Sequence, residues 1–148
     1  VFQSNLQHNG SKRNFGVWEV DKIYEDIKKV DNKIRNDASN SAYYLVRGKL
    51  FFLINAYRAA IWDFSKIVQM EEFHAEAIYL RGASYFAVLE SDQALSDINH
   101  LIQKNAAFAS IHQDHFLALR QVIQDVKTFN KAGKKFKMPE FSKEFLDY

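Results

Sequence analysis

Cysteine is absent from this chain of 148 residues, which excludes disulfides and thiolate metal sites. Proline occurs once, at Pro139, and the five glycines all stand singly. Long stretches therefore lack helix breakers, and no glycine-rich phosphate-binding loop can be written. An excess of one charge is missing too. The net charge of +2 makes no demand for nucleic acid or an anionic membrane. The longest mainly apolar run, Leu50–Ile54, is far too short to span a bilayer, so no membrane insertion is expected. No signal-peptide pattern is visible. The absence of cysteine fits an intracellular, cytoplasmic protein. Because the first residue is Val1, a domain of a larger protein is expected.

Catalytic signatures are lacking as well. There is no HExxH motif and no serine-nucleophile elbow. His112 and His115 lie three residues apart with Asp114 between them, but no third ligand follows at fixed spacing. We expect no enzyme, no cofactor and no metal site.

What the chain has in quantity is apolar and aromatic residues. Hydrophobic types make up 47% and aromatics 15%, with thirteen phenylalanines, which argues for a packed helical array rather than a disordered adaptor. The length suits one domain. Residues 1–16 are polar and read as a flexible or loosely docked arm. Over 17–36, Ile23, Ile27, Val30 and Ile34 form one apolar stripe at helical spacing, and Asp37–Ser41 is a polar break. A long last helix is expected over 106–130, with Ile111, His115, Leu119, Val122, Ile123 and Val126 on its inner side and Ala132-Gly133 as its stop. A basic, then aromatic and acidic tail covers 134–148.

Between these flanks the sequence repeats. Arg47-Gly48 recurs as Arg81-Gly82, 34 residues on. Phe51-Phe52 recurs as Tyr85-Phe86, Ala60-Ile61 as Ala94-Leu95, and Asp63-Phe64 as Asp97-Ile98. Two copies result, 41–74 and 75–108. Each predicts a helix A (42–54 and 75–88) and a helix B (58–70 and 92–104), with Asn55 and Ser91 as N-caps of the B helices. Gly48 and Gly82 let helices A and B approach where a Cβ would collide, and Ala60 and Ala94 are their small partners on helix B.

This period and these residues resemble the tetratricopeptide repeat. Tyr44 or Ile78, Gly48 or Gly82, Phe51 or Tyr85, Tyr57, Ala60 or Ala94, and Phe64 or Ile98 stand where the family signature packs. Arg47 and Arg81 replace the usual leucine before the glycine, and Asp63 and Asp97 are the acidic partners that accompany such an arginine. We expect Arg47–Asp63 and Arg81–Asp97 to form structural ion pairs. The proline usual between repeats is missing, with Glu72 and Ala106 in its places, so the junctions are expected to run on as helix. The resemblance implies an all-α, right-handed superhelix of antiparallel helix pairs, about six helices in total, within 17–133.

It also implies a protein-binding role, as a scaffold or adaptor, because such repeats build a surface that holds another chain. The A helices of the family line its concave face. The register puts Ala42, Leu45, Val46, Lys49, Phe52 and Leu53 there from the first copy. The second copy supplies Glu76, Tyr79, Leu80, Ala83, Phe86 and Ala87. The last helix supplies Ser110, Gln113, Asp114, Leu117, Arg120 and Gln121. Leu45, Val46, Phe52, Leu53, Tyr79, Leu80 and Phe86 would make one apolar patch suited to an amphipathic helix or apolar peptide. The alternative is that the arm, the tail or a second copy covers it.

A homodimer, through this face or the edge around Trp18 and Ile23, is the rival from another class. A chaperone-tail clamp finds only Lys49 of suitable chemistry, since Leu45, Leu80, Ser110 and Asp114 hold the other places. Lys127, Lys131, Lys134, Lys135 and Lys137 would be the basis of any nucleic-acid contact, although a solvated helix end accounts for them more simply. The tail aromatics Phe141 and Phe145 are placed to dock on the domain itself.

Overall fold

The computed structural model describes residues 17–104 and 106–130, with side chains at 19–104 and 113–128. The expectations for the arm, the tail, Lys131, Lys134, Lys135 and Lys137, and for the side chains of Trp18, Ser110, Ile111 and His112, lie outside what is described, whereas Lys127 is described and pairs with Asp92 at 2.6 Å. The described residues form six α-helices and no strand: α1 Val17–Asn36, α2 Ser41–Leu53, α3 Tyr57–Met70, α4 Ala75–Ala87, α5 Ser91–Lys104 and α6 Ala106–Asn130. Each helix packs on the next in sequence, and α4 also touches α2 and α6.

α1 is amphipathic, with Val20, Ile23, Ile27 and Val30 buried along one stripe at the spacing of a single helix face. A polar link joins it to α2. There Asp37 Oδ1 accepts from the Ser39 hydroxyl at 2.8 Å, and Asn40 Oδ1 accepts from the Ala42 amide at 3.1 Å as the α2 N-cap.

α2–α3 and α4–α5 are helical hairpins, and both turn in the same way. Asn55 and Leu89 adopt φ of 62° and 65°. After α2, the Asn55 amide donates to the Phe52 carbonyl at 3.1 Å and the Ala56 amide to that of Phe51 at 2.8 Å. After α4, the Leu89 amide donates to Phe86 at 3.0 Å and the Glu90 amide to Tyr85 at 2.9 Å. This is the paired C-terminal cap that closes a helix through one left-handed residue. It corrects the reading of Asn55 as an N-cap. Ala56 holds that place in α3 without a side-chain bond, because Asn55 is taken up by the left-handed turn. Ser91 is the first residue of α5 rather than its cap.

The junction between hairpins is also not continuous helix. Glu71 is extended, with φ −118° and ψ 142°, and the His74 side chain accepts from the Ala77 amide at 3.1 Å to start α4. A histidine N-cap does here what proline would otherwise do.

One core runs through the array. Phe64 and Ile67 of α3, Ile78, Leu80 and Phe86 of α4, and Ile98 and Leu101 of α5 are fully or almost fully buried, each contributing about 1.5–3 kcal/mol of burial. The glycines sit at the tightest crossings. A Cβ on Gly48 would lie 2.6 Å from Phe64 Cε1, and one on Gly82 3.1 Å from Ile98 Cδ1. In α6 the buried side is Phe116, Leu119, Ile123 and Val126. His115, expected inside, is exposed, and the buried place beside it is taken by the wholly apolar Phe116.

Candidate functional site

The residues expected to line an open concave face divide into two groups. Phe52, Leu53, Tyr79, Leu80, Ala83 and Phe86 are buried and belong to the core. Tyr79 meets Phe116 of α6 with ring centroids 5.0 Å apart, and its hydroxyl is pushed above its usual range by burial. Phe52 meets Tyr57 edge-on at 5.4 Å. Lys49 is buried as well and pairs with Glu76 of α4, so it presents no open positive charge for a carboxylate-terminal ligand. Leu45 and Val46 of α2, and Leu117 and Arg120 of α6, are half-buried.

The expectation of a contiguous exposed patch is corrected accordingly. The register places these side chains where α2, α4 and α6 converge, and large rings at that point fill the space between the helices instead of lining a groove. Leu45, Val46, Leu117 and Arg120 stay partly reachable from solvent, and Ala42, Gln113, Asp114 and Gln121 are exposed.

The four ion-pair residues come together. Arg47 Nε and Nη2 donate to Asp63 at 2.9 and 2.7 Å. Arg81 donates to Asp97 in the same two-toothed way at 2.8 and 2.7 Å, the geometry in which guanidinium and carboxylate match best. Burial pushes the Asp63 and Asp97 carboxyls above the ordinary aspartate range, and the arginine hydrogen bonds pull in the opposite direction. Arg47, bonded to Asp63 and Asp31, is held in its charged form.

Each arginine reaches a second acceptor, on the helix before it. Arg47 Nη1 donates to Asp31 of α1 at 2.9 Å. Arg81 Nη1 donates to the Ser65 hydroxyl of α3 at 3.4 Å. In both cases the partner lies 16 residues before the arginine, as Asp63 and Asp97 lie 16 after. Asp31 and Ser65 thus hold the same place in the repeat, and α1 stands where a helix B of a preceding hairpin would stand. Carrying the period back from Ser65 would have picked out Asp31 in the sequence.

Aromatic rings flank the first clasp. The Arg47 guanidinium lies 5.8 Å from the centroids of Tyr44, Phe51 and Trp62. Trp62 is 54% exposed, and the Lys66 ammonium sits 5.2 Å from its ring. Tyr85 flanks Arg81, at 5.9 Å.

Among the described residues no group of three or more His, Cys, Asp or Glu side chains is placed to hold a metal ion. No described helix is long and apolar enough to cross a membrane. No protein-family model matches this chain, and no curated protein and no solved structure matches it.

Proposed function

We propose that the chain is a protein-binding module, a scaffold or adaptor built as a right-handed superhelix of tetratricopeptide type. The observation that carries this reading is the recurrence of one hairpin design. Glycine crossing, two-toothed Arg–Asp clasp and left-handed turn occur at matching places in α2–α3 and α4–α5. Stacked hairpins of this kind serve by presenting a preformed surface, so that a partner loses little by ordering it. The contact surface we assign is the accessible part of the A-helix face: Leu45 and Val46 of α2 with Leu117 and Arg120 of α6. Its ligand would be an amphipathic helix or an apolar peptide segment of another protein.

The test is quantitative capture from lysate with the wild-type chain, with Val46→Asp plus Leu117→Asp, and with Gln69→Ala on the exposed side of α3 as a control. The reading expects partners retained by the control and lost by the double variant. Identical partner sets for all three would show that this face is not the contact surface. A tight dimer by light scattering, abolished by the same two substitutions, would replace the adaptor reading with self-association.

A further inference from the structure

Among the six described helices, α1 packs chiefly on one neighbour, α2. It is held there by two devices. One is the aliphatic stripe Val20, Ile23, Ile27 and Val30. The other is Asp31, on Arg47 at 2.9 Å, with the Lys33 ammonium 5.8 Å from the Tyr43 ring beside it. The seat under α1 is therefore a helix-receiving surface of known pattern. It takes four aliphatics at spacings of three, four and three, followed by a carboxylate that meets Arg47. Arg47 keeps Nη1 for that carboxylate while Nε and Nη2 are occupied by Asp63. The same kind of seat is filled inside the array by α3, whose Ser65 reaches Arg81. There, α3 is fixed from its other side by α2.

We infer that α1 is a releasable strap on this seat, and that its outside occupant is α1 of a second copy of the chain, which brings the same stripe and the same carboxylate. The inference concerns the seat of α1 on α2 and is tested without the proposed partner. In the isolated chain the link at 37–40 holds α1 close to its own seat. Such tethering gives an effective concentration of about millimolar order, so a monomer is favoured when the chain is dilute. Opening α1 breaks chiefly the interface with α2, whereas opening any other described helix breaks at least two. Exchange exposes no new surface in the product, because the seat vacated in one copy is filled by α1 of the other.

Two measurements test this. The first uses a labelled peptide of residues 17–36 and the full chain. Saturable binding is expected. It should strengthen by about tenfold or more when Ile27→Asp loosens the chain's own α1, and weaken by about two- to fivefold when the peptide carries Asp31→Asn. Failure of the peptide to bind either chain, while circular dichroism shows both helical, would overturn the proposal, and so would indifference to Asp31→Asn. The second shortens the link by deleting Ala38 and Ser39. A dimer by light scattering with α1 amides protected from exchange is expected. A monomer with α1 amides unprotected would show that α1 does not exchange. Neither readout involves Val46 or Leu117, so failure here is separable from failure of the partner face.

Discussion

The two hairpins have one frame and different surroundings. In both, a glycine of the first helix lies against the second, which carries a buried alanine, and arginine and aspartate close the crossing with a two-toothed bond. Around that frame α2–α3 adds a second carboxylate from Asp31 and three rings, while α4–α5 adds a serine hydroxyl at 3.4 Å and the Tyr85 ring. The first hairpin turns through an asparagine and the second through a leucine. What recurs is what the crossing requires sterically and electrostatically; what differs is how each hairpin meets its neighbours and the solvent. Substitutions at matched positions then measure how much the surroundings contribute.

The largest difference is expected at the clasps. Asp97→Ala leaves the Arg81 guanidinium, 19% exposed, with only the long Ser65 bond. Breaking a largely buried pair from one side costs about 3–5 kcal/mol, and Asp97→Ala should fall near about 3 kcal/mol, because Arg81 retains some access to water. Asp63→Ala should cost less by about 1 kcal/mol, since Asp31 remains on Arg47 at 2.9 Å and exposed or half-exposed pairs are worth up to about that much. Chemical denaturation of both variants decides it. Equal losses would mean that Asp31 contributes nothing to holding Arg47. Replacing both members, as in Arg81→Met with Asp97→Leu, should recover most of the stability, because no charge is then left buried alone.

The glycines come next. At Gly48 an added Cβ would fall 2.6 Å from an aromatic carbon of Phe64, a rigid ring that is itself fully buried. At Gly82 it would fall 3.1 Å from the end of Ile98 and 3.2 Å from Asp97 Cβ. Overpacking costs about 1–3 kcal/mol, and alanine returns about 1 kcal/mol over glycine within a helix. Gly48→Ala should therefore destabilise by about 1–2 kcal/mol and Gly82→Ala by less than about 1 kcal/mol, read from urea midpoints at equal m values. The reverse order would mean that the Phe64 ring turns aside more easily than the α4–α5 crossing relaxes.

Much of the frame was legible in the sequence because it repeats. The period matches Arg47 with Arg81 and Asp63 with Asp97, the family resemblance implies that each arginine meets its aspartate, and helical spacing alone finds the stripe of α1. The capping residues were less legible. Asn55 is a good N-cap type and also a good left-handed type, and only the closing hydrogen bonds to Phe51 and Phe52 decide between them. His74 as an N-cap is an uncommon choice that composition does not suggest. The apolar A-helix face misled for a different reason. Register tells which way Tyr79 and Phe86 point, but not whether large rings leave a groove or fill it; Phe116 meeting Tyr79 depends on how far apart three helices stand. Asp31 was within reach, one period before Ser65, but a match of aspartate to serine is invisible until both are seen touching an arginine.

The smallest expected difference lies at the two turns, and it has opposite signs. Asn55 and Leu89 occupy the same left-handed place, with φ of 62° and 65°. Asparagine tolerates that conformation, whereas an ordinary side chain loses about 1 kcal/mol through the contact between Cβ and its own carbonyl. Leu89 is also 64% exposed, so its side chain recovers little by burial. Leu89→Asn should raise stability by up to about 1 kcal/mol, and Asn55→Leu should lower it by a similar amount plus the loss of the Tyr57 hydroxyl bond to Asn55 at 3.0 Å. Thermal melts of the two variants and of the double exchange test this. The turns belong to separate hairpins, but Arg58 beside the first is paired with Glu90 beside the second, so a departure of the exchange from the sum of the singles by more than about 0.5 kcal/mol would measure coupling through that link. A loss on Leu89→Asn would show instead that the leucine side chain holds something against the turn, and would make that exposed leucine a contact residue rather than a strained one.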